Sequence, residues 1–178
     1  MSAERKVLDS LVSEHLACML RLAIRLTGSV ESAEDVVQEA LLRVIQGWST
    51  FHHQSSFKTW AFRIVLNVFS DWMSKDRKSP PLIDVPDARQ FDPASCAMAE
   101  ELGRYIAVRV SALPPRQREV LVLITYEGIL PEEVAELLDM QVSNVYSMLY
   151  SARQRLRVEL APFLPEKRNA KRTESSDA

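Results

Sequence analysis

At 178 residues the chain is long enough for one domain or two small ones, and a net charge of −2 gives no overall basic excess; any nucleic-acid affinity must come from local placement of cations. Hydrophobic residues make up 47% and charged ones 26%, which excludes a chain too polar to build a core, and four glycines argue against a loop-rich β protein or a glycine-built phosphate cradle. No apolar run reaches the roughly eighteen residues of a membrane span and charge appears early at the start, so no membrane insertion and a cytoplasmic location are expected.

Cys18 and Cys96 are too few and too far apart for a disulfide framework, and His15, His52 and His53 do not complete a metal-ligand set with them. No metal or cofactor is expected, and both thiols are expected to be reduced and buried. Along the chain, Val7, Leu8, Leu11, Val12, His15, Leu16, Met19, Leu22, Ala23 and Leu26 recur at helical spacing and predict a first helix over Val7–Leu26, with Gly28 at its C-cap. Ser29 is placed to cap the next helix, whose first turns carry Glu31, Glu34 and Asp35, where the helix dipole favours anions. That second helix, Glu31–Trp48, has Val37, Leu41, Val44, Ile45 and Trp48 on an apolar face. Asp35, Gln38, Leu42 and Gln46 lie on another, with Glu39 and Arg43 beside them. The residues alone leave this second face open between a solvated surface and a docking surface in which Leu42 is an apolar anchor within a polar rim.

Phe51–Lys78 starts as a short polar loop behind an aromatic and continues as a helix-length run without Gly or Pro. Phe57, Trp60, Ala61, Ile64, Val65, Val68 and Trp72 make one stripe at helical spacing; Arg63, Asn67, Ser70 and Ser74 make another, and Lys75, Arg77 and Lys78 close the segment. Two readings stand side by side. One is a core helix with a charged tip; the other is a helix lying along a nucleic-acid strand, with loop aromatics stacking unpaired bases.

Ser79–Pro93 holds Pro80, Pro81, Pro86 and Pro93 and three aspartates against Arg89 alone. Prolines at this density stop a helix and favour extended chain. The expected architecture is therefore all-α: two small helical domains at 1–78 and 97–161, a flexible Pro/Asp-rich linker at 79–96, and a polar tail at 162–178. The second domain should open with a helix over Ser95–Leu113 and continue with one that has Pro115 at its first position. A short helix over Leu130–Asp139 follows, then the turn Met140–Val142 and a helix capped by Ser143 that reaches about Leu160. Two helices joined so closely read as a helix-turn-helix, with Val134, Leu137, Leu138, Val142, Val145, Leu149, Ala152 and Leu156 as shared core. Such a unit offers the leading part of its second helix, here Ser143, Asn144, Tyr146, Ser147, Tyr150 and Ser151, to the DNA major groove; a plain helical hairpin is the other reading.

The stretches RLAIRLTGSVESAEDVVQEALLRV, SSFKTWAFRIVLNVFSDW, LPPRQREVLVL and YEGILPEEVAELLDMQVSNVYSMLYSARQRLR, taken in this order, resemble a bacterial RNA polymerase sigma factor of the sigma-70 family. The closest likeness is to the extracytoplasmic-function group, which has only sigma domains 2 and 4. The resemblance covers Leu11–Arg157. It implies that Asp35, Gln38, Glu39, Leu42 and Arg43 dock on the clamp helices of the polymerase largest subunit, and that domain 4 meets the flap. It implies that the loop from Phe51 to Ser56 and the helix after it hold the non-template strand of the −10 element. Phe51 and Asn67 would receive a flipped base, and Lys58, Arg63, Lys75, Arg77 and Lys78 would hold phosphates. An unstacked base needs an aromatic wall and a group that reads its edge. Domain 4 would read the −35 element through Ser143, Asn144, Tyr146, Ser147, Tyr150, Ser151 and Arg153, with Arg116 and Arg118 on the DNA backbone. An anti-sigma factor is the implied regulator.

The chain departs from the family pattern at two places. A basic residue is usual where Tyr146 stands, and often at Met148 and Ser151, so the leading half of the recognition helix has no positive charge. Asp139 stands where Gly is common, for which a small local cost and no change of fold are expected. Three function classes follow: a promoter-specificity subunit, a sigma-like decoy that binds an anti-sigma factor without reading DNA, and an enzyme acting on nucleic acid. The last fails on inventory, since the sequence shows no metal-ligand set, phosphate loop or recognisable nucleophile–base pair.

Overall fold

The computed structural model describes residues 3–51, 55–75 and 96–161. Among them are seven α-helices, one short 3₁₀ turn at Trp48–Thr50, and no strand. The expected linker up to residue 95, the tail, His52, His53, Arg77, Lys78 and the side chain of Cys96 lie outside the described residues, while Cys96 itself opens a helix.

The front half is built from α1 (Ala3–Thr27), α2 (Val30–Gly47) and α3 (Phe57–Lys75), each packed on the other two. Met19, Leu22, Ala23 and Leu26 of α1 meet Ala33, Val36, Val37, Ala40 and Val44 of α2 and Ala61, Val65 and Val68 of α3, all buried. The junction of α1 and α2 follows the capping signals. Gly28 takes φ +74 and donates its N–H to the Ile24 carbonyl at 2.8 Å, while the Ser29 hydroxyl accepts from the Ser32 N–H at 3.4 Å. At the start of α3 the Ser56 hydroxyl accepts from the Thr59 N–H at 3.1 Å, a cap that satisfies one of the helix's orphan donors. Three expectations need correction. Ile45 is 60% exposed and not part of the buried face, because α2 turns Val36, Ala40 and Val44 inward and leaves Ile45 beside Leu42. Val7 and Leu16 are exposed on α1 despite their helical spacing. Cys18 is half-buried, its thiol donating to the His15 carbonyl at 2.9 Å.

The back half contains α4 (Cys96–Ser111), α5 (Pro115–Thr125), α6 (Pro131–Leu137) and α7 (Val142–Glu159). Pro115 and Pro131 each open a helix, where the missing N–H is no loss. Val134 and Leu138 pack with Val145, Leu149 and Ala152 to join α6 to α7. Helix α7 begins two residues earlier than expected: Gln141 stands at its N-cap without a side-chain bond, and Ser143 lies inside the first turn.

The halves are packed together, α5 on α1 and α3 and α4 on α1. This explains why α3 is buried on two sides. Phe62, Leu66 and Phe69, outside the stripe read from the sequence, are as buried as the stripe itself. Removing a Phe side chain from water contributes about 2 kcal/mol, so this second buried side is a substantial part of what holds α3 in place.

Candidate docking and nucleic-acid interfaces

Helix α2 keeps its polar face outward. Asp35, Gln38 and Glu39 are exposed, and Leu42 and Ile45 are 54% and 60% accessible. Residues 35, 38, 42 and 45 follow one helical line, so two large aliphatic side chains stand in a rim of carboxylate and amide. Arg43 is held at the edge of this surface. Its Nε donates to Glu39 and its Nη1 to Asp71 of α3, both at 2.9 Å, which ties the docking face to the third helix. The sequence reading missed Ile45; its place three residues after Leu42 was the available signal.

The loop before α3 is roofed by aromatics. Phe51 stacks on Trp48 with centroids 5.6 Å apart, lies 4.8 Å from Trp60, and meets the edge of Phe57 at 6.1 Å. Phe51 is therefore a half-buried wall, with its ring orientation set by three neighbours. Asn67 is exposed two turns beyond Trp60, roughly 10 Å along the helix. Lys58 lies over the Phe62 ring at 5.1 Å, and Arg63 is exposed with Nη2 donating to the Glu136 carbonyl of α6 at 3.0 Å. Lys75 ends α3. The structure thus gathers Lys58, Arg63 and Asn67 on the side of α3 that looks toward α6, while Phe51 belongs to the aromatic cluster at the helix start. Ser56, placed in the strand-holding loop, is occupied as the cap of α3.

On α7, Ser143, Asn144, Tyr146, Ser147 and Tyr150 are exposed, Ser151 is half-buried and Arg153 is exposed. Tyr146 and Tyr150, 52% and 66% accessible, stand one turn apart with Arg153 and Arg157 further along. The Ser147 hydroxyl donates back to the Ser143 carbonyl at 3.0 Å, which leaves its lone pairs outward.

The two arginines of α5 part company. Arg116 is exposed and pairs with Glu119 at 2.9 Å. Arg118, expected on the DNA backbone, is 2% accessible. Its guanidinium donates to the carbonyl of Leu26 in the last turn of α1 and to that of Leu113 at 2.9 Å, and it lies over the Phe69 ring at 5.6 Å. A phosphate cannot reach it while the halves are packed. The cation instead fills the role of a C-cap for α1, where an orphan carbonyl and the negative end of the dipole favour it. Burial pulls its pKa down to about 10, and it stays charged at neutral pH. Glu119, 1% accessible, is pushed up by burial, with Arg116 and then Arg118 acting against that. A sequence signal did exist: Arg118 lies three and four residues before Leu121 and Val122, on the inward face of α5.

Among the described residues no cluster of His, Cys, Asp and Glu is placed to hold a metal ion, and no helix is long and apolar enough to cross a membrane.

Comparison with known proteins supplies the context. The family model for sigma-70 region 2 matches residues 11–79, and that for sigma-70 region 4 matches residues 103–156. The RNA polymerase sigma-H factor of Pseudomonas aeruginosa is 27% identical over 175 residues, covering 92% of this chain and 91% of its own. The ECF RNA polymerase sigma factor SigE of Mycolicibacterium smegmatis is 31% identical over 163 residues, covering 89% of this chain and 63% of its own. Among solved structures, the sigma factor RpoE in complex with the anti-sigma factor NepR from Bartonella quintana superposes with a TM-score of 0.69 at 25% identity, covering 88% of this chain and 98% of that one.

Proposed function

This chain belongs to the sigma-70 family, in its extracytoplasmic-function group, and from that premise we propose that it is a promoter-specificity subunit directing bacterial RNA polymerase to signal-responsive promoters. Residues 1–78 serve as the polymerase-docking and −10-reading domain, and residues 97–161 as the −35-reading domain that also meets the flap. The observation that carries this reading is the outer face of α2, where Leu42 and Ile45 are more than half exposed within a rim of Asp35, Gln38 and Glu39. An apolar centre with a polar border fits a protein interface better than bare solvent. Asn67 reads the edge of an unstacked base, the aromatic cluster around Phe51 borders the strand at the start of α3, and Lys58, Arg63 and the cations beyond Lys75 hold it. Asn144, Tyr146, Ser147 and Tyr150 read the −35 duplex, with Ser143, Ser151, Arg116 and Arg153 at its edges. The role needs no cofactor and no catalysis by this chain, and it places the protein in the cytoplasm. An anti-sigma partner is proposed too, since the Bartonella relative is bound to one.

The test is recovery of core polymerase by the purified chain. Leu42→Asp/Ile45→Asp should lower recovery at least tenfold, because two anchors of an interface are replaced by desolvated charge, and Asp35→Ala/Gln38→Ala should weaken it less. Unchanged recovery by both variants rejects the docking face. The uncharged leading turns of α7 favour one second reading, a decoy that captures an anti-sigma factor. Promoter-directed transcription by the reconstituted holoenzyme separates the two, since a decoy gives no transcript.

A further inference from the structure

The outward side of α7 carries a chemistry of its own. Val145, Leu149 and Ala152 are buried against the rest of the back half, so positions 143, 147, 150 and 154 fall on the line that points away from it. Ser143, Ser147, Tyr150 and Gln154 are all exposed there. Tyr146 stands beside the line on one flank and Asn144 on the other, both exposed. From 143 to 154 the strip runs roughly 16 Å at the helical rise, the length of about five stacked base pairs. It holds hydroxyls, two carboxamides and two phenol rings, and no ionised group. The cations of α7 are displaced to its flanks: Arg153 and Arg157 are exposed on the Tyr146 side, and Arg155 on the Asn144 side. A helix seated in a groove meets base edges with its central strip and the sugar–phosphate walls with its flanks. The arginines are therefore set for the backbone, which carries no sequence information directly.

Base chemistry then decides what the strip can select. Guanine is recognised chiefly by a guanidinium or ammonium on its O6 and N7, and cytosine by a carboxylate on its N4; the strip offers neither. Adenine is recognised by a carboxamide paired with N6 and N7, and thymine by apolar contact with its methyl group. The serine hydroxyls do not discriminate, and that of Ser147 already donates to the Ser143 carbonyl at 3.0 Å. We propose that α7 reads its DNA element as A·T base pairs, with Asn144 and Gln154 on adenine edges, the Tyr146 and Tyr150 rings against thymine methyl groups, and no partner for guanine. The inference rests on the reading of α7 as the helix that enters the major groove, and deepens it. It names the sequence class and adds Gln154 as a specificity-determining residue. Selection then comes from the neutral strip, while Arg153, Arg155 and Arg157 supply affinity that is independent of sequence and falls with salt.

The experiment gives holoenzyme, reconstituted from core polymerase and the full-length chain, a pool of random-sequence duplexes of promoter length. The templates it transcribes are sequenced and aligned on their start sites. The −35 region should show a core of about five base pairs in which adenine and thymine are selected and guanine is selected nowhere. Asn144→Ala and Gln154→Ala, both at exposed sites, should each lower the preference for adenine about tenfold at one position, and at different positions. Guanine selected inside the core overturns the proposal. So does a core left unchanged by either variant, because A·T pairs are then read through groove shape and stiffness and not through that amide. Transcription with no −35 preference also overturns it, while leaving the promoter-specificity reading in place. If no duplex is transcribed, that reading itself fails and the A·T inference falls with it.

Discussion

Asp139 sits one residue past the C-cap of α6 with φ +51, in the left-handed region that L residues enter at a cost. The surrounding bonds show why the chain accepts it: the Met140 N–H reaches back to the Ala135 carbonyl at 3.0 Å, closing the six-to-one link that ends a helix with a left-handed residue. Glycine enters that region freely, and its extra freedom in the unfolded chain takes back part of the gain. Asp139→Gly should therefore raise stability by about 0.5–1 kcal/mol, read as a higher urea midpoint at unchanged slope. Glu119 poses the opposite kind of cost. Burial holds its carboxyl above the ordinary value of 4.5, so the folded chain keeps that proton to higher pH than the unfolded chain does. The sign follows: stability associated with this group is fully present below the ordinary value and is lost as pH rises through the folded one. Glu119→Gln cannot ionise, so wild-type stability relative to the variant should fall as pH rises above the ordinary value of 4.5, measured as paired urea midpoints. A constant difference above that value rejects a raised carboxyl at position 119.

At the scale of elements, α7 starts earlier than its expected cap, and its outward face is chemically unusual. Tyr146 and Tyr150 project from its leading half, and positive charge begins only at Arg153. Arginine on a guanine edge is the commonest specific contact and discriminates by about 1–3 kcal/mol. Tyr146→Arg in the full-length chain should bind a −35 duplex roughly tenfold more tightly at fixed salt, with the salt slope steepened by the added cation. No gain in that titration would show that position 146 does not face the groove. The helices themselves were legible because their apolar periods are long and their punctuation is plain: Gly28 and Ser29 between α1 and α2, Pro115 and Pro131 at the starts of α5 and α6. Misread residues lie where one element meets a surface that periodicity cannot see. Phe62, Leu66 and Phe69 look like a second, surplus apolar set on α3 until the back half packs against it. Ile45 fits an inward stripe by spacing, and α2 nevertheless turns it outward beside Leu42. Arg118 looks like a phosphate ligand until the end of α1 is placed against it. In each case the deciding neighbour is distant in sequence.

For the whole molecule, the halves approach tightly at Gly28, where a Cβ would lie 2.6 Å from the Ser111 Cβ and 3.0 Å from its hydroxyl. Gly28 is thus doubly constrained, by its φ of +74 and by α4 beside it. Gly28→Ala should carry a backbone cost of about 1–2 kcal/mol from the left-handed conformation and an overpacking cost of about 1–3 kcal/mol from the contact with Ser111. The first belongs to the front half alone; the second exists only while the halves are packed. A double-mutant cycle with Ser111→Gly separates them, because removing the Ser111 side chain clears the space and leaves the backbone strain untouched. The coupling should therefore be favourable, about 1–3 kcal/mol in urea unfolding of the full-length chain, if the halves unfold while still joined. The clash has a cheaper exit if the halves can part, since opening relieves it at the loss of the Arg25–Glu127 pair and the Arg118 cap. Scattering on Gly28→Ala decides between these routes. An expanded particle with only the backbone cost means that opening is easier than unfolding; a compact particle with the full cost means that the halves behave as one folding unit.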